Sequence, residues 1–306
     1  MRLPPQVTVV EVGPRDGLQN ESISLTVADK VAFIERLAAS GLPVIEVGAF
    51  VSPKWVPSMA DTDAVVAALP RQPGVRYAAL VPNLIGVERA AAAGIRDIAL
   101  FGAASETFSR RNINQSIADA FATFRAVVPR AQALGMRVRG YLSTSFGCPY
   151  EGDIPPSRVA DLTRAMLDLG VVEVAVSDTI GVATPGQIWR VLDALAPLVP
   201  VGSIALHLHD TRGTALANVL AGLQAGVATF DASCGGLGGC PYAPGAPGNL
   251  ATEDLVHMLH GLGIHTGVDL DALLGASTFI AQRLGARLPS RYYQAWRASS
   301  APGVPS

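Results

Sequence analysis

The amino-acid sequence predicts an α/β protein, a (β/α)8 TIM barrel with additional C-terminal helices, and three observations carry that prediction. Eight short apolar, β-branched runs alternate with Ala/Leu-rich stretches at helical spacing. Several of those stretches close on a glycine where a helix would turn back towards a strand, at Gly41, Gly94, Gly135, Gly170 and Gly226. Eight such units in 306 residues suit a barrel whose usual length is about 250 residues. An open doubly wound sheet is the rival, but no Gly-x-Gly-x-x-Gly follows the first strand.

In chain order the expected strands are Val7–Val12, Pro43–Val47, Val75–Val81, Asp97–Phe101, Arg137–Ser143, Val172–Ser177, Ser203–His209 and Thr229–Ser233. Helical patterns between them include Thr26–Ser40, Ser116–Leu134, Ser157–Leu169, Pro185–Leu198 and Gly213–Ala225. Two more follow the eighth strand, Thr252–Leu262 and Asp269–Leu284. Nothing reads as a linker, so residues 1–298 are expected to form a single domain with a helical C-terminal extension. The Pro/Ser-rich residues 299–306 read as a disordered tail.

Composition excludes several classes of function. Hydrophobic residues make up 49% and charged residues 16%, which implies a filled core rather than disorder. The net charge is −2 and no Lys/Arg cluster is long enough to suggest a nucleic-acid partner. Gly, Pro or a charge interrupts every apolar run before it reaches membrane-spanning length, so no membrane partner is expected. Cys148, Cys234 and Cys240 are too few and too irregular for a disulfide framework, which favours a reducing compartment. No leader-like segment precedes the first strand, and the expected location is cytoplasmic.

The most informative stretch is Ile204-Ala205-Leu206-His207-Leu208-His209-Asp210. Read as a strand, it places Ile204, Leu206 and Leu208 on one face, with His207 and His209 together on the other. Two of the five histidines in the chain are therefore within reach of one metal ion. An isolated His-x-His also fits two hydrogen-bonded core histidines.

Barrel chemistry sits on the loops that follow the strands, and here those loops are polar. Strand one runs into Gly13-Pro14-Arg15-Asp16-Gly17-Leu18-Gln19-Asn20-Glu21, and strand two carries Glu46 facing inward. Strand six ends in Ser177-Asp178-Thr179, and strand eight opens into the glycine-rich run from Cys234 to Asn249. Singly, Asp16 and Asn20 fit turn formers, Asp178 fits a helix cap, and Glu46 with Arg15 fits a structural ion pair. Jointly they would bury Asp, Glu, Arg and two His at one mouth, where unpaired charge costs several kcal/mol. A divalent cation resolves this. His207 and His209 supply two nitrogens, Asp16 a carboxylate, and Asn249 a fourth donor through its side-chain oxygen. That N/O set suits Mg2+ or Mn2+ and leaves positions open for a chelating substrate, although imidazole also tolerates zinc or cobalt.

The segment Val12-Gly13-Pro14-Arg15-Asp16-Gly17-Leu18-Gln19-Asn20-Glu21 resembles the opening motif of the 3-hydroxy-3-methylglutaryl-coenzyme A lyases. This family lies within a barrel superfamily of metal-dependent lyases and Claisen-type synthases. Phe50-Val51-Ser52-Pro53-Lys54-Trp55-Val56-Pro57, Gly147-Cys148-Pro149-Tyr150-Glu151-Gly152 and His207-Leu208-His209-Asp210-Thr211 point the same way. So do Gly235-Gly236-Leu237-Gly238-Gly239-Cys240-Pro241-Tyr242 and Gly248-Asn249-Leu250-Ala251-Thr252-Glu253-Asp254. The likeness runs from about Val7 to about Leu284. Its Arg-Asp and His-x-His elements are superfamily-wide, whereas the Gly-Gly-Cys-Pro-Tyr loop is specific to the lyases.

The resemblance implies cleavage of a branched 3-hydroxyacyl-CoA between C2 and C3, giving acetyl-CoA and acetoacetate from the usual substrate. Such a reaction needs a cation beside the tertiary hydroxyl. It also needs a fixed donor beside the thioester oxygen, and Arg15 fits that role, held by Glu46 and Gln19. The resemblance assigns Cys240 as the acid that protonates C2 from a mobile loop. Asp16 and His207 share the role of base, and Asp178 organises the metal shell or its loops. A homodimer is the family's common state.

Two departures stand out. The C-terminal cysteine associated with thiol-linked regulation in some members is absent, so no intersubunit redox switch is expected. Ala49 stands where some members carry Ser, which bears on the substrate. A longer, isoprenoid-derived 3-hydroxyglutaryl-CoA is therefore a second possible substrate. A synthase using a 2-oxo acid, disfavoured by the Cys240 loop, and a non-catalytic metal- or CoA-binding scaffold are the remaining alternatives.

Overall fold

The computed structural model describes residues 3–19, 21, 23–239 and 248–299. Asn20, Cys240 and residues 300–306 of the expected tail lie outside the described residues.

Eight strands form a closed barrel in sequential order: β1 (Thr8–Glu11), β2 (Val44–Ala49), β3 (Arg76–Leu80), β4 (Asp97–Ala103), β5 (Arg137–Ser143), β6 (Glu173–Asp178), β7 (Ile204–Leu208) and β8 (Thr229–Ala232). Every pair is parallel, and β1 closes the ring against β8. The helices are α1 (Val27–Ala39), α2 (Thr62–Ala68), α3 (Leu84–Ala92), α4 (Glu106–Ile113), α5 (Ile117–Ala133), α6 (Pro156–Asp168), α7 (Pro185–Leu195), α8 (Ala215–Gln224), α9 (Thr252–Gly261), α10 (Leu270–Leu284) and α11 (Arg291–Ser299). The five helix-closing glycines named from the sequence all take positive φ, between 69° and 98°. No described helix is long and apolar enough to cross a membrane.

Strands β2 and β4 run two residues further than expected, through Gly48-Ala49 and Gly102-Ala103. Such small residues have weak intrinsic strand preference. Ladder pairing holds them, with Ala49 opposite Leu80 and Ala103 opposite Ser143. Helix α11 was not legible as a helix. Its start is capped from a distance by the Asp254 carboxylate of α9, which accepts Tyr292 N at 2.8 Å and Ser290 Oγ at 2.9 Å. It ends at Ser299, so that residue is helical.

Side chains alternate across the barrel wall as the pleat requires. Ile204, Leu206 and Leu208 face outward into the main core beneath the helices, with Ile45, Val138, Val174 and Phe230 from other strands. The inside is less ordinary. Small apolar residues such as Ala99, Ala175 and Ala205 surround Tyr141. Below them a charged belt replaces the branched apolar layers usual in this architecture. In that belt Arg139 bonds Glu173 Oε1 through Nε at 2.7 Å and grips both oxygens of Asp231 at 2.6 and 3.1 Å. Each ion has its partner, which offsets the desolvation cost of burial; removing one partner of such a set typically costs about 3–5 kcal/mol.

Candidate active site and metal centre

After β1 the chain makes a single π-helical turn, Gly13–Gly17. Asp16 N and Gly17 N both donate to Val12 O, at 2.7 and 3.2 Å. Turns of this width are rare and concentrate at functional sites. This one lifts Arg15 and Asp16 side by side into the barrel mouth. Gly17 permits it: a Cβ there would lie 2.7 Å from Ser233 Oγ and 2.9 Å from Leu237 Cβ. The turn thus packs directly on the segment that follows β8.

The Arg15 guanidinium, 6% exposed, is held on three sides. Nη1 donates to Asp16 Oδ1 at 2.6 Å and Nη2 to Glu46 Oε2 at 3.0 Å, and the Tyr141 ring lies 5.3 Å away. Tyr141 Oη donates to the same Glu46 oxygen at 2.7 Å. Burial works against the Arg15 charge, but Glu46, Asp16 and Tyr141 outweigh it and keep the guanidinium firmly protonated. The bond to Glu46 expected from sequence is present. Gln19 lines the same cavity, and its backbone carbonyl accepts Ser58 Oγ at 2.9 Å.

Beside Arg15, the side chains of Asp16, His207 and His209 each offer one donor atom, all within 4.8 Å of one another. The two Nε2 atoms face each other at 3.2 Å, and His207 Nε2 lies 4.0 Å from Asp16 Oδ2. Burial, helped by His207, pushes His209 down to about 3, so its ring stays neutral. Burial alone would raise Asp16, but Arg15, His207 and His209 hold its carboxyl well below the ordinary range. Donors that are already deprotonated are what metal ligation requires. Among the described residues His209 Nδ1 is buried without a hydrogen-bond partner, so its own network does not consume this imidazole. These three side chains can hold a metal ion.

Asn249 is also here, with its backbone bridging His209. Its amide nitrogen donates to Asp16 Oδ2 at 2.8 Å and to Leu237 O at 3.1 Å. The contact seen with the centre is therefore through nitrogen, steadying Asp16, rather than through the oxygen expected from the sequence. Asp178 is not among the three gathered donors; its two oxygens take Val182 N and Ala183 N at 2.9 and 3.0 Å, organising the loop after β6.

The centre opens on a cavity of about 680 Å³. Arg15, Asp16, His207 and His209 form its polar floor, and Ala49, Leu80, Phe101, Phe108 and Ile113 are among its apolar walls.

The HMGL-like family model matches residues 6–280. The chain belongs to the HMGL-like family. Within that family it is 52% identical over 293 residues to the mitochondrial hydroxymethylglutaryl-CoA lyase of Mus musculus, covering 96% of this chain and 90% of the relative. It is 51% identical over 300 residues to a Pseudomonas aeruginosa protein, covering 98% of this chain and all of the relative. That protein is named 3-hydroxy-3-isohexenylglutaryl-CoA/hydroxymethylglutaryl-CoA lyase. A solved HMG-CoA lyase of Acinetobacter baumannii, in complex with coenzyme A and 3-methylmalate, superposes with a TM-score of 0.92 at 39% identity, covering the whole of both chains.

Three groups at this HMGL-like site carried no sequence signal that singled them out. Tyr141 and Asp231 sit at inward positions of β5 and β8, where Tyr141 reads as an ordinary strand residue and Asp231, although an unusual strand residue, has no neighbouring motif to name its partner. Glu11 is the third. Its Oε1 accepts Gly13 N and Cys234 N, both at 2.8 Å, and its Oε2 accepts Thr252 Oγ1 at 2.7 Å. It thereby ties the Arg15 turn to the root of the glycine-rich loop. Burial pushes Glu11 up to about 8, against the bonds from Thr252, Cys234 and Gly13 that lower it. The unfolded chain releases this proton near 4.5 and the folded chain near 8, so the folded state binds more protons in between. The contribution is complete below 4.5 and is lost as pH rises through 8. In Glu11→Gln the amide accepts both backbone donors and donates to Thr252. Thermal midpoints of the wild type should therefore decline relative to those of Glu11→Gln between about pH 4.5 and 8, with no further divergence above that. Parallel declines would contradict the buried proton.

Proposed function

We propose that this protein is a divalent-cation-dependent carbon–carbon lyase that cleaves 3-hydroxy-3-methylglutaryl-CoA to acetyl-CoA and acetoacetate. One observation carries the reading: the Asp16–His207–His209 cluster lies beside the buried Arg15 guanidinium on the floor of a cavity large enough for an acyl-CoA arm. The names of close full-length relatives support it.

Asp16, His207 and His209 hold the cation, Mg2+ or Mn2+, with Asn249 completing or steadying the set. The bound cation supplies Lewis acidity towards the substrate's hydroxyl oxygen. Asp16 accepts the hydroxyl proton as the C2–C3 bond breaks and C3 becomes the ketone of acetoacetate; His207, its Nε2 turned to the cation and its Nδ1 to Asp231, has no lone pair to spare for it. The bonding pair moves to C2 and onto the thioester oxygen, where Arg15 stabilises the developing negative charge. Glu46 and Tyr141 keep the guanidinium aimed. Cys240 delivers a proton to C2, completing acetyl-CoA. The substrate enters as an acyl-CoA.

A second substrate is favoured by the apolar wall of the cavity and by the double name of the Pseudomonas aeruginosa relative. A longer isohexenyl branch would lie against Leu80, Phe101 and Ile113. Purified protein with Mg2+ should cleave hydroxymethylglutaryl-CoA, and EDTA should abolish turnover until Mg2+ or Mn2+ is restored. Measured side by side, faster turnover of the isohexenyl analogue would make it the preferred substrate. Full activity in excess EDTA, or condensation of acetyl-CoA with 2-oxo acids and no cleavage, would defeat the proposal.

A further inference from the structure

His207 and His209 differ in how they are held. Among the described residues His209 Nδ1 has no hydrogen-bond partner, whereas His207 Nδ1 lies 3.1 Å from Asp231 Oδ2. Asp231 is the residue of β8 paired in register with His207, and it is 1% exposed. Both of its oxygens are gripped by Arg139, through Nη2 at 2.6 Å and Nη1 at 3.1 Å. Arg139 is fixed in turn by Glu173 and by Tyr141 Oη at 3.1 Å. The Tyr141 ring meets the His207 ring edge-on, with centroids 5.8 Å apart. One arginine deep in the barrel thus underpins both sides of the site. It reaches His207 through Asp231, and Arg15 through Tyr141 and Glu46.

A carboxylate paired to a guanidinium only accepts hydrogen bonds, so the His207 nitrogen facing it must be N–H. A neutral imidazole protonated at Nδ1 carries its lone pair on Nε2. That atom faces His209 Nε2 and Asp16. We infer that Asp231 is a positioning residue that fixes His207 as the Nδ1–H tautomer and so presents its Nε2 lone pair to the metal position. The metal half of this inference rests on the lyase reading; the tautomer half stands on the hydrogen bonds alone. A bland ion-pair plug would stabilise the barrel without setting the tautomer or the metal affinity.

Two measurements separate these roles. Long-range 1H–15N correlation spectra of metal-free, histidine-labelled protein, with His207 assigned from signals missing in His207→Gln, should show Nδ1 protonated and Nε2 bare. An Nε2–H tautomer overturns the inference, and this arm needs no variant of Asp231 that folds. In Asp231→Asn, Mn2+ affinity read by electron paramagnetic resonance should fall about 10- to 100-fold, the usual effect of removing such a partner. Wild-type Mn2+ affinity in a folded Asp231→Asn protein overturns the positioning role while leaving the lyase reading intact. A wild-type protein that takes up no Mn2+ overturns the metal reading itself and, with it, the role of Asp231 towards a metal.

Discussion

Arg15→Gln should lower kcat by ~10²–10³-fold, the usual effect of removing a donor aimed at a developing oxyanion, while Mn2+ affinity changes far less. The side chain does not ligate the proposed metal. It lies beside that position, its charge maintained by Glu46 and Asp16 despite burial. Glutamine keeps part of the length and one pair of donors but loses the fixed charge. The change also leaves Glu46 buried with Tyr141 as its remaining bonded partner, so a lowered thermal midpoint should accompany the rate loss. Kinetics at saturating metal, with Mn2+ affinity measured on the same preparation, separate the two effects. A rate loss fully restored by excess metal would mean that Arg15 serves the cation site and not the enolate.

Cys240→Ser should cost a comparable factor, ~10²–10⁴, the usual range for a general acid, and leave metal affinity unchanged. Cys240 follows Gly239, which lines the cavity, on a segment rooted by Glu11 and Glu253 through Cys234 N and Gly235 N. The two buried cysteines have other settings. Cys148 bonds Ser105 Oγ at 2.9 Å, and burial with the nearby Glu253 charge pushes the Cys234 thiol up. Serine keeps the shape but holds its proton more tightly, so the chemical step should slow while substrate affinity persists. Turnover equal to wild type would remove Cys240 from the mechanism and turn attention to Asp16 or a bound water.

The fold was legible because its signals are local. Strand runs, helix periodicity and closing glycines each need only a few neighbouring residues. Asp16, His207 and His209 were legible for a related reason: polar side chains at strand ends stand out against apolar strands. Asp231 and Tyr141 were not, since Asp231 lies 24 residues from His207 and 92 from Arg139, and Tyr141 lies 95 from Glu46. Inward-facing positions of a buried strand look alike until the barrel closes. Asn249 was recognised by its place after the glycine-rich run, but which end of its amide meets the centre depends on the Leu237 carbonyl, fixed only in three dimensions. Helix α11 escaped because the Asp254 carboxylate that caps it belongs to another helix.

The central claim is a single cation shared by Asp16, His207 and His209. Anomalous diffraction from crystals soaked in Mn2+ tests it most directly. One strong peak within bonding distance of His207 Nε2, a His209 ring nitrogen and an Asp16 carboxylate oxygen is the expected result. Full soaking with no peak among these three side chains, or a peak elsewhere in the barrel, would contradict it.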